Sequence, residues 1–306
     1  MTRLLRLVAL VTVVSCRLAD APDESTPRCE AASAWNGSAC RVFAQRTVQQ
    51  VPTSLLEGGR AVALQVVAYK PLTPGPYPTL VFHHGSTGNG DNPALFTITY
   101  TNDVLAKVFV DRGYMVLFPQ RRGRGASEGT YDEGFEPDHS RYSCRSQYAL
   151  PGLTRALEDA DAILDHVRQR PDVDATRLLV GGVSRGGILA IAHAARRPAA
   201  YRGALNFVGG WLGEACQDAV PVNRNTFVQA AASPRNSLWV YAENDPFYSV
   251  AHSRANYDAF AAAGGKGTFN VYQRINAALS GHGILNDSTR WVGVANTFLA
   301  QAIPQP

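Results

Sequence analysis

Arg177–Gly187 reads RLLVGGVSRGG, an apolar run that passes directly into glycines around a single serine. Residues 178–180 are continuously hydrophobic, as in a strand buried on both faces, and the residues after the glycines are helix formers. This pattern predicts a sharp turn from strand to helix with Ser184 at its centre. Gly182 and Gly186 leave room there for neighbouring segments. Ser184 is therefore a candidate nucleophile, although an ordinary glycine-rich connection would give the same local pattern.

Strand and helix patterns alternate on both sides of this turn. We expect strands at 41–48, 61–69, 79–83, 114–118, 177–182, 204–208, 238–242 and 268–272, and helices at 101–112, 153–170, 186–197, 249–263 and 288–300. The first two strands are predicted to be antiparallel. The alternation indicates an α/β fold: a mostly parallel sheet of about eight strands with helices on both faces.

Two connections are longer than the sheet requires, Gln120–Pro151 and Gly209–Arg235, and the second is predicted to contain a short helix at 225–231. Both follow strands at the carboxyl edge of the sheet, where open α/β sheets bind ligands. We therefore expect the two loops to form the walls or a small lid of a pocket.

The amino terminus resembles an export signal. A basic start is followed by a short apolar run, and residues 1–15 are predicted to be removed. The ending at Cys16 is similar to a bacterial lipobox, which predicts lipidation of Cys16 and a membrane tether; cleavage after Ala19 or Ala21 is the alternative. Residues 16–40 are expected to be an irregular tether, and 41–306 the catalytic domain. An exported protein is expected, either a periplasmic, outer-membrane or cell-surface lipoprotein or a secreted one.

Lipidation of Cys16 would leave four cysteines, an even number in a chain expected in an oxidising compartment. Of the three pairings, we favour Cys29 with Cys40, which closes a short loop, and Cys144 with Cys216, which joins the two long loops. Free cysteines in a cytoplasmic protein are the alternative interpretation.

Composition narrows the function classes. The chain has 306 residues, 45% hydrophobic and 18% charged, with a formal net charge of +4, which is typical of a soluble globular protein. No basic stripe predicts nucleic-acid binding, and no Cys or His spacing predicts a metal site. We expect no cofactor, no nucleic acid and no protein partner, and a small-molecule ester as the substrate.

A serine nucleophile needs a base and an acid that orients the base. His282 lies in a glycine-flanked loop after the last predicted strand, and His139 is its main rival. Asp245 follows the strand at 238–242, with Glu243 as competitor. These placements predict a Ser184, Asp245 and His282 triad.

The oxyanion that forms on attack needs preorganised N–H donors. The N–H of Arg185, directly after the nucleophile, and the N–H of Ser86 are the candidates, with Thr87 as the next choice after Ser86. Possible substrate-binding residues are His84, Thr87, Arg185 and Trp211. His84 is expected to act as a hydrogen-bonding brace rather than as a second base. The cluster Arg121, Arg122 and Arg124 is typical of a solvated turn, or could bind an acidic group.

Several segments together resemble the α/β-hydrolases of the dienelactone hydrolase and prolyl-oligopeptidase-like group, over roughly residues 60–302. They are VFHHGSTGNG, RRGRGASEG, PDVDATRLLVGGVSRGG, YAENDPF and SGHG. The order Ser184, Asp245, His282 is also that of the α/β-hydrolases. The resemblance implies the α/β-hydrolase fold and hydrolysis through an acyl-enzyme without a cofactor.

The departures from this group matter for activity. Dienelactone hydrolases proper use a cysteine nucleophile in the cytoplasm, whereas this chain has Ser184 and a predicted export signal. The related peptidases carry a propeller domain, for which too few residues precede the expected catalytic domain. Arg185 resembles the Ser-Arg of glucuronoyl esterases, where the guanidinium supports the oxyanion. A serine carboxylesterase is therefore favoured, with a peptidase of the same group, or a catalytically silent lipoprotein of this fold, as alternatives.

Overall fold

A computed structural model describes residues 28–273 and 280–304. The predicted signal at 1–15 and Cys16 lie outside the described residues. The strands are Ser33–Trp35 (β1), Cys40–Val42 (β2), Gln45–Glu57 (β3), Arg60–Lys70 (β4), Tyr77–His83 (β5), Met115–Pro119 (β6), Val173–Val183 (β7), Tyr201–Phe207 (β8), Asn236–Ala242 (β9) and Lys266–Tyr272 (β10). The α-helices are Asp103–Val110 (α1), Ser146–Gln169 (α2), Arg185–Arg196 (α3), Ala219–Ala230 (α4), Val250–Ala262 (α5) and Ser288–Ala302 (α6). Short 3₁₀ turns lie at Pro93–Leu95 and Gly281–Asn286.

The main sheet has eight strands in the order β10-β9-β8-β7-β5-β6-β4-β3. Strands β5 to β10 are parallel, whereas β3 and β4 form an antiparallel hairpin whose inner strand β4 pairs antiparallel with β6. Residues 79–83 of β5 and residues 178–182 of β7 are buried, as in central strands of a sheet that is covered on both faces. The prediction of a mostly parallel sheet of about eight strands is confirmed.

The segment before the sheet is more regular than the sequence predicts. Residues 33–42 form the small hairpin β1-β2, and a disulfide joins Cys29, which precedes β1, to Cys40, the first residue of β2. Ala32 packs into the core, and its N–H donates to Asp103 on α1. Residues 33–40 are therefore not the irregular tether that we expected. They are held by a disulfide and by contacts with distant residues, which leave no periodic pattern in the local sequence.

Helix α2 differs most from its predicted bounds, because it begins at Ser146 rather than at 153 and runs through Pro151. Proline lacks the N–H that continues a helix, so its position suggested a boundary. Contacts from the second long loop hold the helix start instead: the Ser146 N–H donates to Asp218 at 2.7 Å, and Cys144 is bonded to Cys216. The helix predicted at 225–231 likewise begins earlier, as α4.

Both predicted disulfides are present, with Cα separations of 5.5 Å for Cys29–Cys40 and 4.8 Å for Cys144–Cys216. The second bond joins the loop that precedes α2 to the loop that precedes α4. The two long connections are therefore held together above the carboxyl edge of the sheet. Two disulfides fit a protein that folds in an oxidising compartment. No helix within 28–273 and 280–304 has the length and apolar character needed to cross a membrane.

Candidate active site

The turn between β7 and α3 holds Ser184 in an unusual backbone conformation. Its φ of 57° and ψ of −124° lie in a region that a residue with a side chain rarely adopts. Neighbouring backbone explains the flanking glycines: a Cβ on Gly182 would lie 2.0 Å from the carbonyl oxygen of Gly186, and a Cβ on Gly186 would lie 2.1 Å from that of His83. The glycines therefore permit a tight turn that presents Ser184 at the carboxyl edge of the sheet.

Ser184 lines a cavity of about 510 Å³. The cavity lies between the two long loops and the turns after β7 and β9. Its lining residues are Ser86, Gly88, Asn89, Asp91, Arg141, Tyr142, Ser143, Cys144, Ser184, Arg185, Trp211, Leu212, Gly213, Ala215, Cys216, Pro246, Phe247, Tyr248 and His282. Because the Cys144–Cys216 bond forms part of the wall, the expected role of these loops as pocket walls agrees with the structure.

Asp245 and His282 are brought together at the edge of this cavity. The imidazole Nδ1 of His282 lies 2.9 Å from Oδ2 of Asp245, whose side chain is fully buried. The other oxygen, Oδ1, accepts the backbone N–H groups of Phe247 and Tyr248 at 2.8 and 3.1 Å. Gly281 permits this approach, because a Cβ there would lie 2.3 Å from the carbonyl oxygen of Glu243. The carboxylate is thus fixed on both oxygens and can hold the imidazole in one orientation.

The rival residues occupy other positions. Glu243 is exposed, and its backbone N–H donates to Tyr272. His139 is exposed and stacks on Phe135, outside the residues that line the cavity. Among the described candidates, the carboxylate that contacts the cavity histidine is therefore that of Asp245.

Ser184 and His282 line the same cavity, but within the described residues Oγ of Ser184 and the imidazole are not joined by a hydrogen bond. Catalytic hydrogen bonds are often long before a substrate is bound and shorten in its complex. His282 retains 22% of its side-chain exposure, which leaves its ring accessible from the cavity. Ser184 and His282 therefore share one cavity, as a nucleophile and its base must.

Two backbone N–H groups near Ser184 are available to bind a negatively charged oxygen. Within the part of the chain that the structure describes, the N–H of Ser86 and the N–H of Arg185 donate to no other protein group. Arg185 is also the first residue of α3, where the helix dipole favours negative charge. The N–H of Thr87, in contrast, donates to the hydroxyl of Tyr142 at 3.2 Å. The geometry thus favours Ser86 over Thr87 as the second donor.

The Arg185 side chain is buried in the cavity wall. Its Nε donates to the carbonyl of Trp211 at 3.0 Å, and Nη1 donates to the carbonyl of Glu133 at 2.9 Å. The guanidinium carbon lies 3.8 Å from the ring centre of Tyr142 and 4.9 Å from that of Trp211. The guanidinium is therefore held between two aromatic rings beside Ser184, a position from which it can act on a bound group.

Of the other predicted substrate-binding residues, Trp211 lines the cavity, whereas His84 and Thr87 do not. His84 is fully buried, and burial, with the nearby charge of Arg121, holds its pKa well below the ordinary value. Its Nε2 accepts the N–H of Arg121 at 3.3 Å, and its Nδ1 lies 2.8 Å from the carbonyl oxygen of Gly85 and 3.0 Å from Nη2 of Arg121. A neutral His84 thus braces the loop that carries Ser86, as expected, and is not among the residues that line the cavity.

The arginine cluster is neither a solvated turn nor part of the cavity lining. Arg121, Arg122 and Arg124 are all buried. Arg121 pairs with Glu133, and Arg122 pairs with Asp159 at 2.5 Å. Arg124 instead donates to the carbonyl of Leu95 at 2.6 Å and lies over the ring of Tyr131. Local sequence gives no sign of any of these partners.

Sequence reasoning also missed residues of the cavity wall. Tyr142, Phe247 and Tyr248 line the cavity, and Glu133 binds the side chain of Arg185. Only their positions in the sequence could have indicated this role. Tyr142 lies in the first long loop near Cys144, and Phe247 and Tyr248 lie two and three residues after Asp245. No group of His, Cys, Asp or Glu suited to a metal ion occurs within 28–273 and 280–304.

A family model for the dienelactone hydrolase family matches residues 64–297, which includes the sheet from β4 onward and every residue of the cavity. This chain belongs to the dienelactone hydrolase family. As a member of that family it is a hydrolase with the α/β-hydrolase fold, and the recognition made from the sequence is confirmed.

Solved structures with the same fold carry different activities in their names. An acetyl xylan esterase from Paenibacillus sp. R4 is 19% identical with a TM-score of 0.54, and 82% of this chain and 89% of that one are covered. An esterase from Pyrococcus furiosus is 13% identical with a TM-score of 0.57, covering 84% and 90%. The acylaminoacyl peptidase of Pyrococcus horikoshii is 14% identical with a TM-score of 0.59, covering 85% of this chain but 42% of that one. At these identities the likeness shows the fold of this dienelactone hydrolase family member, not its substrate.

Proposed function

We propose that this protein is a serine hydrolase that cleaves carboxylic esters through an acyl-enzyme. The observation that carries the proposal is the buried carboxylate of Asp245, bonded at 2.9 Å to a histidine that lines the same cavity as Ser184. The ester preference is supported by the names of two structural neighbours, which are esterases.

In the proposed reaction, Oγ of Ser184 attacks the ester carbonyl while His282 accepts its proton. Asp245 keeps Nδ1 of His282 protonated, so that Nε2 is the atom that takes and returns the proton. The N–H groups of Ser86 and Arg185 stabilise the oxyanion of the tetrahedral intermediate. His282 then protonates the leaving alcohol, and a water activated by the same imidazole releases the acid.

The proposal assigns separate energetic contributions to these groups. Losing Ser184 or His282 removes the covalent route and is expected to reduce turnover by about 10⁴-fold or more. Losing one oxyanion donor is expected to cost about 10²- to 10³-fold. The pocket itself, with Trp211 and Phe247 in its wall, contributes binding that these changes leave in place.

The test uses a fluorophosphonate probe and p-nitrophenyl esters of short acids. We expect labelling and turnover in the wild type, and neither in Ser184→Ala. His282→Gln is compared with His139→Gln, because only the first changes a histidine of the cavity. Ser86→Ala is a further control: it keeps the backbone N–H that is proposed to donate, so its turnover should stay close to wild type.

Equal labelling of the wild type and Ser184→Ala would contradict the proposal, and so would equal losses in the two histidine variants. A panel that includes aminoacyl amides separates the ester from the peptide reaction. Turnover of amides at a rate comparable to that of the matched esters would favour a peptidase.

We also propose that the protein is exported and tethered through a lipidated Cys16. The support is the signal-like amino terminus, together with two disulfides in the folded chain. The intact mass of protein from a membrane fraction tests this. A mass that includes an acylated Cys16 is expected, whereas the mass of an unprocessed chain would contradict the proposal.

A further inference from the structure

Tyr142 contacts both segments that carry a candidate oxyanion donor, the loop with Ser86 and the start of α3 with Arg185. It lies in the first long loop, between β6 and α2, and lines the cavity. Its backbone N–H donates to the carbonyl of Asn89 at 2.9 Å. A Cβ on Gly90 would lie 3.0 Å from its ring. The loop that follows β5 thus packs directly on this tyrosine.

The hydroxyl of Tyr142 binds that loop through the residue after Ser86. It accepts the N–H of Thr87 at 3.2 Å and lies 2.8 Å from the hydroxyl of Thr87. The hydroxyl of Tyr131 also lies 2.5 Å from it. Because the Thr87 N–H donates to Tyr142, the peptide group between Ser86 and Thr87 is fixed in orientation. The N–H of Ser86 makes no such bond within the described residues and stays available to the cavity.

The ring of Tyr142 holds the second donor residue. The guanidinium carbon of Arg185 lies 3.8 Å from the ring centre, close enough for a cation–π contact. Carbonyl groups of Trp211 and Glu133 fix the other edges of the guanidinium. One side chain therefore contacts both the Ser86–Thr87 loop and the residue that opens α3.

We propose that Tyr142 is a positioning residue of the oxyanion hole. Its hydroxyl fixes the loop so that Ser86 rather than Thr87 donates, and its ring supports Arg185. The inference rests on the proposed function, because it assumes that the N–H groups of Ser86 and Arg185 bind the oxyanion. It predicts that the hydroxyl contributes to the transition state and little to substrate binding.

The test compares Tyr142→Phe with Tyr131→Phe. Both remove one hydroxyl from the same hydrogen-bonded pair, but only the first removes the acceptor of the Thr87 N–H. Rates are expressed per serine titrated with fluorophosphonate, so that unfolded protein does not contribute. We expect kcat for a p-nitrophenyl ester to fall about 10- to 100-fold in Tyr142→Phe, less than the loss of a whole donor, with KM within about twofold. Tyr131→Phe should change kcat by less than about threefold.

A second measurement separates positioning from general loosening. A short alkyl boronic acid forms a tetrahedral adduct with a serine nucleophile, so its affinity reports oxyanion binding. We expect its inhibition constant in Tyr142→Phe to rise by the same factor as kcat falls. An unchanged boronate affinity, or equal kcat losses in the two variants, would overturn the inference. A wild type with neither labelling nor turnover would instead overturn the proposed function, and the inference with it.

Discussion

Removal of the Cys144–Cys216 disulfide is the sharpest test of how the cavity is held together. The bond joins the two long loops, and both sulfur-bearing residues line the cavity. Cys29–Cys40 closes the small amino-terminal hairpin away from that wall. Two double variants remove one disulfide each: Cys144→Ala/Cys216→Ala and Cys29→Ala/Cys40→Ala. The substitutions are chemically the same, but the two disulfides close chain segments of different length.

The expected magnitudes follow from the chain that each bond closes. The partners are 72 residues apart in one case and 11 in the other. In the loop-closure model a disulfide stabilises by restricting the unfolded chain, by about 4.4 kcal/mol for the longer span and about 2.8 kcal/mol for the shorter. The Cys144–Cys216 variant should therefore lose about 1.6 kcal/mol more of its unfolding free energy than the other.

Urea unfolding without reductant, followed by tryptophan fluorescence, measures the difference. Ester turnover in the same variants adds a second measurement. We expect KM to rise in the Cys144–Cys216 variant, because its two walls are no longer joined, and to stay unchanged in the Cys29–Cys40 variant. Fluorophosphonate labelling should persist in both, since neither variant changes a residue of the proposed triad.

Two results would refute this reasoning. If the Cys144–Cys216 variant lost no more unfolding free energy than the Cys29–Cys40 variant, loop closure would not explain the stabilisation. If its KM equalled that of the wild type, the bond would not hold the shape of the cavity. In that case the contacts of α2 and α4, including the Ser146–Asp218 hydrogen bond, would hold the walls without it.

Three further predictions concern acid stability, the nucleophile turn and the histidine's orientation. Burial holds the pKa values of His83, His84 and His193 below the ordinary value, so these side chains take up protons when the protein unfolds in mild acid. The unfolding free energy should therefore be constant above about pH 6.5 and should fall below it, by up to about 1.4 kcal/mol per pH unit for each histidine. Urea unfolding measured between pH 7 and 5 would show this fall. Gly186→Ala should lower the unfolding free energy by about 3 kcal/mol or more, measured in urea, because its Cβ would meet the carbonyl oxygen of His83 at 2.1 Å. Asp245→Asn should lower kcat about 10⁴-fold in the ester assay, because an amide favours the wrong tautomer of the histidine.

Each of these has a clear contrary result. Stability that stays constant from pH 7 to 5 would mean that these histidines bind as many protons in the folded protein as in the unfolded chain, so that burial does not lower their pKa values. Gly293→Ala, in helix α6, is the control for the glycine change, since a Cβ there meets no atom within 4 Å and should stabilise the helix slightly. Equal effects at the two glycines would argue against the close approach. An Asp245→Asn variant with near wild-type kcat would remove the carboxylate from the mechanism.

Much of the fold was accessible from the sequence because its signals are local. Buried parallel strands are continuous apolar runs, and their helices begin and end at glycines and prolines, as at β7 and α3. The predicted helix boundaries were wrong where a contact with a distant residue overrides the local conformational preference. Helix α2 contains Pro151 because Asp218 and a disulfide hold its first turn.

The candidate site divides in the same way. Ser184, Asp245 and His282 each follow a strand at one edge of a parallel sheet, and the order of strands brings such positions together. That placement could be predicted from the chain. The buried ion pair of Arg121 and Glu133 could not be predicted. It depends on which loops meet in the folded protein, and a buried ion pair leaves no local sequence pattern.

The sequence by itself determined the strand-to-helix turn at Ser184, the succession of strands that orders the cavity, and which cysteines were available to join its walls. Only the tertiary structure decided that the hydroxyl of Tyr142 takes the Thr87 N–H and leaves that of Ser86 available. Backbone preference and apolar periodicity act over a few residues and can be read along the chain. A hydrogen bond between residues 55 positions apart depends on how two loops approach in space, which no local pattern encodes.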